Sequence, residues 1–292
     1  DRVFNNIKIH TQYSICEGAI KIDDLADYCK DNKIHNVGIC DSYNLCGALE
    51  FAEKISKSGT QPIIGTQINF NLESVIGRLP LFSTSSLGYK NLIELSSKSY
   101  LDSDEASDPH CKIHELNNIN QDLILLSGNY YGFFGKLFKL NKLKQIEATV
   151  EELKNIFKDR FYFEIQRHNE PSEESFENFI IELSTKYQVP LIATQEVFYL
   201  KKDMHEAHDA LVCIGQKNFI SETNRIKYSD QHYIKKNEDL IELFKDIPEA
   251  LENNYNFFLR FNFKPKKSAP ALPTIRTKAN VCLLYTSPSP RD

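Results

Sequence analysis

Ionisable and polar side chains follow the short apolar runs of this sequence. His10 ends the first run, Asp41 and Ser42 follow the second, and Gln67 interrupts the third. Residues with a similar placement further along the chain are Glu17, Asn129, His168, Glu196 and Phe198. Histidine and carboxylate groups held together can bind divalent metal ions, which activate water for hydrolysis of phosphate esters. The residue types therefore indicate a candidate metal-dependent phosphoesterase site.

The elements that would bring these residues together alternate between strand and helix. Apolar runs at residues 7–10, 37–40 and 63–70 predict strands, and residues 79–82 are predicted as a fourth. About seven strands alternate with helices along the chain, which predicts an α/β fold, a TIM-like barrel with parallel strands. Loops after the strands of such a barrel converge on one mouth. We therefore expect the polar residues to share that mouth.

A structural role for the same residues is the simpler alternative. Strand ends are polar in any barrel, and a lone histidine there more often forms a hydrogen bond than binds a metal. His205 and His208 lie nearly one helical turn apart, but on an amphipathic helix such residues usually pack or face solvent. No P-loop sequence and no Gly-x-Ser-x-Gly elbow occurs. Spacing alone leaves the metal site and the structural role both open.

Composition restricts the class of protein. The 292 residues are 41% hydrophobic and 26% charged, with a net charge of −5, which is typical of a globular protein without general attraction to DNA or membranes. No apolar stretch approaches the roughly 20 residues of a membrane helix, and no signal peptide is recognisable. Seven scattered cysteines without a C-x-x-C pair predict buried thiols in a reducing compartment. We therefore expect a cytoplasmic location and no membrane partner.

Several short motifs occur in an order that resembles a known family. They lie at residues 10–14 (HTQYS), 40–49 (CDSYNLCGAL), 62–65 (PIIG), 126–128 (LSG), 163–166 (FEIQ) and 207–211 (AHDAL). Over residues 3–275 the sequence resembles the polymerase-and-histidinol-phosphatase (PHP) domain that begins the alpha subunit of bacterial DNA polymerase III. This resemblance implies a distorted TIM-like (β/α)7 barrel of the PHP type. In metal-bearing members of the family, three metal ions lie in the mouth.

The same resemblance implies that this copy of the metal site is incomplete. Family ligands are replaced at five positions, by Lys8, Ser42, Gln67, Asn129 and Phe198. His10 is retained unchanged, and the acids Glu17 and Glu196 are the other candidate ligands that remain. Three ligands cannot assemble a cluster of three ions, because a metal site needs the right number of ligands, each held in place. We therefore expect no metal cofactor in this chain.

Lys8 lies where the resemblance places a metal ligand. Two unit positive charges about 4 Å apart repel by roughly 4 kcal/mol at an effective dielectric constant of 20, so an ammonium there opposes metal binding. The hypothesis from the sequence is that Lys8 replaces the charge of the metal and pairs with Glu17, Asp41 or Glu196.

The function that the resemblance implies belongs to a longer protein. That protein would be a DNA-directed DNA polymerase acting by nucleotidyl transfer, with magnesium held by carboxylates of a domain absent from this sequence. The barrel itself, with no intact catalytic set, would brace the polymerase and dock a proofreading exonuclease subunit, while primer–template DNA binds other domains. The alternative is a metal-dependent 3′–5′ exonuclease or phosphoesterase within the barrel. A free-standing histidinol-phosphatase-like enzyme is disfavoured by the same missing ligands.

The sequence also predicts where the barrel domain ends. Residues 1–268 are expected to form it, and residues 269–281 lie in a proline-containing, basic stretch that is typical of a linker. Residues 282–292 (CLLYTSPSPRD) have no periodic pattern and resemble a translated sequencing adapter. The absence of an initial methionine suggests a fragment of a longer chain.

Overall fold

The computed structural model describes residues 2–104, 106–216 and 226–262. Within these ranges the strands are β1 (Lys8–Ile9), β2 (Asn36–Ser42), β3 (Gln61–Leu72), β4 (Val75–Ser83), β5 (Cys111–Lys112), β6 (Leu123–Leu126), β7 (Phe161–Ile165), β8 (Leu191–Ala193) and β9 (Glu196–Val197). The α-helices are α1 (Ile22–Asp31), α2 (Ala48–Lys57), α3 (Ser86–Leu101), α4 (Phe133–Lys139), α5 (Leu143–Phe157), α6 (Glu173–Tyr187), α7 (His205–Gly215), α8 (Asn237–Leu243) and α9 (Pro248–Asn256). The predicted α/β class is confirmed.

The strands form one curled sheet. Their order is β8-β7-β6-β4-β3-β2-β1-β9, and β5 pairs with β3 beside this path. β1, β2 and β3 are parallel neighbours, as are β6, β7 and β8. Only Thr194 and Gln195 separate β8, at one edge of the sheet, from β9, which pairs with β1 at the other edge. Because one segment of chain joins the two edges, the sheet curls into the distorted barrel that the sequence predicts.

The fourth strand differs from the prediction of parallel strands throughout. Residues 79–82 belong to the longer β4, which runs antiparallel to both β3 and β6. Glu73 and Ser74 alone join β3 to β4, and their φ angles are 48° and 73°. A two-residue turn of this kind permits only an antiparallel partner, since a parallel crossover needs a dozen or more residues. This turn is not recognisable from the sequence, because neither residue is the Gly or Asn that usually marks such a turn.

Alternation along β7 separates the two faces of the sheet. Phe161, Phe163 and Ile165 pack into the large apolar cluster that the sheet forms with the helices, while Glu164 between them points to the opposite, inner face. One end of the barrel interior is apolar, filled by Ile7, Cys40, Ile63, Phe82, Ile124, Leu126, Ile192, Phe257 and Phe261. The polar residues occupy the interior beyond this layer.

Composition predicts no membrane-spanning helix and cysteines that are buried as thiols. The described residues contain no helix long and apolar enough to cross a membrane. Of their six cysteines, which are all free thiols, five are buried and Cys16 is partly exposed, so the prediction of buried thiols is confirmed for those five. The predicted domain end at residue 268, the linker 269–281 and the tail 282–292 lie outside the described residues.

Candidate functional site

Pairing of β1 with β9 brings two predicted site residues into contact. Lys8 is the register partner of Glu196 in these parallel strands, and Glu164 reaches the same point from β7. Lys8 Nζ lies 2.9 Å from Glu196 Oε2 and 3.1 Å from Glu164 Oε2. At most 1% of any of these three side chains is exposed. One buried ammonium is therefore shared by two buried carboxylates.

The surroundings keep Lys8 protonated. Burial alone would lower the pKa of Lys8, but attraction to Glu164 and Glu196 outweighs it and raises the pKa above its ordinary value. Glu164 also accepts hydrogen bonds from the Gly128 amide at 2.9 Å and from Thr194 Oγ1 at 2.6 Å. Buried charges are tolerated when their hydrogen-bonding capacity is met in this way.

His10 connects two carboxylates. Its Nε2 lies 2.8 Å from Glu196 Oε1, and its Nδ1 lies 3.0 Å from Glu17 Oε1. Ionised carboxylates only accept hydrogen bonds, so the ring satisfies both partners when both nitrogens carry hydrogen. Burial alone would lower the pKa of His10, but Glu17 and Glu196 raise it to about 9. His10 is therefore an imidazolium at neutral pH.

Glu17 is bound on its other side by Arg78. The Arg78 guanidinium lies 2.5 Å from Glu17 Oε2 and also donates to Ser42 Oγ at 2.9 Å, while Ser42 Oγ donates to Glu17 Oε1 at 3.0 Å. Burial alone would raise the pKa of Glu17, but Arg78 and His10 lower it to about 2. Ser42, at a position where the resemblance implies a histidine ligand, here links an arginine to a carboxylate.

We call these six residues, Lys8, His10, Glu17, Arg78, Glu164 and Glu196, the ion cluster. Its three carboxylates face three cations, because His10 is protonated at neutral pH. The charges of the ion cluster therefore balance without a metal ion.

Asp41 lies beside the ion cluster but does not pair with Lys8. Its carboxylate accepts from the Thr11 amide at 2.7 Å and from Thr11 Oγ1 at 2.6 Å. Burial raises the pKa of Asp41 to about 7, even though the hydrogen bonds from Thr11 lower it. The sequence allowed Glu17, Asp41 or Glu196 as the partner of Lys8. The structure supports Glu196 and corrects the other two, since Glu17 and Asp41 bind His10, Arg78 and Thr11.

Aromatic rings cover the His10 side of the ion cluster. The Phe198 ring, at a position where the resemblance implies a histidine ligand, lies 4.7 Å from the His10 ring and stacks nearly parallel on His208 at 5.0 Å. His208 Nε2 lies 2.7 Å from the backbone oxygen of Glu17, and the Tyr228 ring packs 5.2 Å from Phe198. His208 therefore packs among aromatic rings, which is one of the roles that the sequence left open for it.

Three other predicted residues lie around the ion cluster in structural roles. Gln67 Nε2 donates to Glu196 Oε1 at 3.2 Å, so it supports a carboxylate. His168 Nε2 accepts from the Glu196 amide at 3.1 Å, behind that residue. Asn129 Oδ1 accepts from the Tyr131 amide at 3.0 Å and shapes a turn. None of the three contacts Lys8 in the hydrogen bonds or ion pairs of the described residues.

The residues at the mouth do not fit the three metal ions that the family resemblance implies. Within the described ranges, no three His, Cys, Asp or Glu side chains are arranged to hold one ion. The remaining candidate ligands, His10, Glu17 and Glu196, are bound to one another or to Lys8 and Arg78. A metal would have to displace both cations first. That the protein binds no metal ion in solution stays a prediction.

Reasoning from the sequence missed Glu164, Arg78 and Gln166 as members of the site. Gln166 Nε2 lies 2.6 Å from Glu196 Oε2, 3.0 Å from Thr194 Oγ1 and 3.1 Å from Glu164 Oε2, and its two hydrogens are shared among these three acceptors. The sequence does contain a pattern that could have indicated Glu164 and Gln166. Both are polar and two residues apart, one inside an apolar strand and one just after it, so they point to the same face of the sheet.

The fold and the site define a class: a distorted β/α barrel whose mouth contains a cluster of buried ion pairs. The model of the PHP domain matches residues 6–168, which is more than half of the chain. The chain belongs to the PHP domain family.

The chain is also similar to longer proteins, the alpha subunits of DNA polymerase III. The chain is 34% identical to DNA polymerase III subunit alpha of Caulobacter vibrioides and 35% identical to that of Rickettsia bellii, with 94% of this chain covered in each case. It spans only 25% and 24% of those two proteins. Among solved structures, an amidohydrolase from Chromobacterium violaceum matches with 8% identity and a TM-score of 0.44, covering 66% of this chain and 87% of that one.

Proposed function

We propose that this chain is the N-terminal part of a replicative DNA polymerase of the polymerase III alpha type, and that its PHP barrel is a structural and docking module without bound metal. The identity of about a third to polymerase III alpha subunits over 94% of the chain supports the first part. The observation that carries the second part is Lys8, whose buried ammonium contacts Glu164 and Glu196.

The proposed parent protein extends a primer by nucleotidyl transfer. Two divalent ions held by carboxylates are the usual means of such chemistry, and we place those magnesium ligands in a part of the polymerase outside this sequence. The barrel would contact the rest of the polymerase chain and the proofreading exonuclease subunit, and other domains would hold primer–template DNA. A cytoplasmic location remains part of the proposal.

Metal analysis tests the docking-module proposal directly. The 292-residue chain is incubated with excess Mn²⁺ and Zn²⁺ and then desalted. Elemental analysis by inductively coupled plasma mass spectrometry is expected to find well under one metal ion per chain. Lys8→His removes the ammonium and restores a potential ligand beside His10, so this variant is expected to retain more metal than the unaltered chain. Stoichiometric retention of two or three ions by the unaltered chain would overturn the proposal.

Activity distinguishes the docking module from the rival nuclease. The unaltered chain is offered a 3′-labelled single-stranded DNA or a small phosphate ester, each with Mn²⁺. We expect it to hydrolyse neither substrate faster than the His10→Ala variant does. Metal-dependent hydrolysis that the His10→Ala variant loses would instead support the exonuclease or phosphoesterase alternative.

The parent activity has its own test. A full-length protein expressed from the uninterrupted gene is expected to extend a primed DNA template with deoxynucleoside triphosphates and Mg²⁺. Failure of the folded full-length protein to extend the primer would contradict the polymerase assignment while leaving the account of the barrel intact.

A further inference from the structure

A small cavity adjoins the ion cluster beside β7. Its volume is about 30 Å³, and the polar residues of its lining include Gln166, His168, Glu170 and His232. Tyr130, Tyr131, Ile165 and Phe176 give it apolar walls. One water needs roughly 10–15 Å³ of such space, so the cavity has room for a group of two or three heavy atoms.

Two buried acceptors in its lining have no donor. Gln166 Oε1 and His232 Nδ1 lack a hydrogen-bond partner among the described residues. Their chemical identity follows from their other contacts. Gln166 Nε2 faces three oxygens, so the amide is oriented with Oε1 free, and His232 Nε2 donates to Glu170 Oε1 at 2.8 Å, so Nδ1 is an acceptor in the neutral ring.

A third buried group, the Nδ1–H of His168, is a hydrogen-bond donor. His168 Nε2 accepts from the backbone amide of Glu196, so the hydrogen of the neutral His168 ring is on Nδ1. That Nδ1–H makes no hydrogen bond of normal length and angle within the described ranges, although the backbone of Gln231 lies near it. The rings of His168 and His232 stack at 4.0 Å with an interplanar angle of 14°. All three residues are more than nine-tenths buried, where an unmade hydrogen bond is costly.

Charge restricts what can enter. Glu170, with 6% of its side chain exposed, accepts from His232 and from the Ser229 amide. Glu173 accepts from the amides of His168 and Asn169. Neither carboxylate forms an ion pair with a lysine or arginine in the described part of the chain. Their field disfavours carboxylate and phosphate ligands, and the His168 donor disfavours ammonium and guanidinium groups, which only donate.

We propose that this cavity binds a primary carboxamide. The two hydrogens of its NH2 group match Gln166 Oε1 and His232 Nδ1, and its carbonyl oxygen matches His168 Nδ1–H. The carbon, oxygen and nitrogen of the carboxamide group are the three heavy atoms that the cavity has room for, so the methyl group of acetamide or the rest of a side chain would lie outside it. Its source is a free small amide or an Asn or Gln side chain, since both present the same group.

Acetamide is the probe that tests the proposal. The 292-residue chain, with ¹⁵N-labelled histidine, is titrated with acetamide at pH 8 and followed by the NMR signals of the ring nitrogens. We expect saturable shifts of the His168 and His232 signals. Acetate, which is charged, and N,N-dimethylacetamide, which lacks both donors, are expected to leave these signals unshifted. A Gly-Gln-Gly peptide forms a second arm, and binding by it tighter than by acetamide assigns the source to a polypeptide side chain.

Variants assign the binding to the cavity. His232→Phe keeps a ring against His168 but removes the acceptor, so it is expected to weaken acetamide binding on the order of tenfold. His35→Phe removes an exposed imidazole and is expected to leave the affinity unchanged. Absence of saturable shifts, or equal shifts with N,N-dimethylacetamide, would overturn the proposal. The comparison of ligands in the unaltered chain decides this even where a variant does not fold.

Discussion

Replacement of Lys8 by methionine is expected to lower the free energy of unfolding by about 3–5 kcal/mol. The Lys8 ammonium is fully buried and lies within 3.1 Å of Glu164 and Glu196. Methionine keeps most of the side-chain volume but leaves two buried carboxylates with His10 as the nearest cation of the ion cluster. Breaking a buried ion pair is costly because the remaining charge has lost both water and its partner. Urea denaturation followed by circular dichroism measures the change.

A matched control separates burial from loss of a lysine. Lys57 pairs with Glu53 at 3.0 Å on the surface of α2, where 75% and 46% of the two side chains are exposed. Lys57→Met is expected to change the free energy of unfolding by no more than about 0.5 kcal/mol, since exposed ion pairs contribute little. A loss for Lys8→Met no greater than that of Lys57→Met would contradict the account of the ion cluster.

A double variant tests whether charge is the cause. Lys8→Met combined with Glu164→Gln removes one positive and one negative charge, so Glu196 keeps His10 and the ion cluster is again neutral. We expect the double variant to recover at least about half of the stability that Lys8→Met loses, because neighbouring substitutions in one network are not additive. No recovery would mean that packing rather than unbalanced charge explains the loss.

The sequence was sufficient to predict the barrel and the region of the site. Strand ends converge in a β/α barrel, so His10, Asp41 and Glu196 were expected near one another, and they are. The contact of Lys8 with Glu196 was also among the predicted pairings. It follows from the parallel register of β1 and β9, in which these two residues are opposite each other.

Arg78 was not predicted because it depends on a strand that runs the other way. The rule that site residues follow strands holds for parallel strands. In the antiparallel β4 the end near the mouth is the beginning of the strand, and Arg78 is the fourth of its nine residues. Only the Glu73–Ser74 turn, which the sequence does not mark, reverses this strand. The partner of Glu17 therefore depends on a tertiary feature.

Glu164 illustrates a different limit. It lies within strand β7, whose sequence is FYFEI. A carboxylate at such a position predicts a solvent-exposed residue on a strand that is buried on one face only. In this curled sheet the inner face is also buried, so Glu164 needs a cation, and Lys8 provides it. Curvature of the sheet makes these two distant residues neighbours, and the local sequence pattern contains no information about that.

The stability of the protein is expected to fall as the pH rises from 7 to 8.5, by about 2 kcal/mol, because of His10. Interaction with Glu17 and Glu196 raises the folded-state pKa of His10 from 6.5 to about 9, against the opposing effect of burial. A raised pKa means that the folded state holds the proton more tightly than the unfolded chain. The contribution is therefore complete below pH 6.5 and is lost as the pH rises through 9.

The chosen pH window isolates this group. Asp41, with its pKa raised to about 7 by burial, stabilises the fold only at lower pH, and its contribution is lost before this window is half crossed. Glu17, with its pKa lowered to about 2 by Arg78 and His10, loses its contribution only as the pH falls below about 4.5. Buried thiols such as Cys40, whose pKa burial raises, begin to lower stability as the pH approaches the ordinary thiol value, so they add a small part of the fall near pH 8.5, and His10→Gln retains that part.

Two variants assign the pH dependence. His10→Gln can still form hydrogen bonds but does not titrate, so its free energy of unfolding is expected to change little between pH 7 and 8.5, apart from the residual effect of Asp41. His35→Gln, at an exposed position, should retain the fall seen in the unaltered chain. Denaturation curves at both pH values measure the differences. A slope that persists in His10→Gln would show that His10 is neutral at pH 7, and the ion cluster would then carry an uncompensated negative charge available to a metal ion.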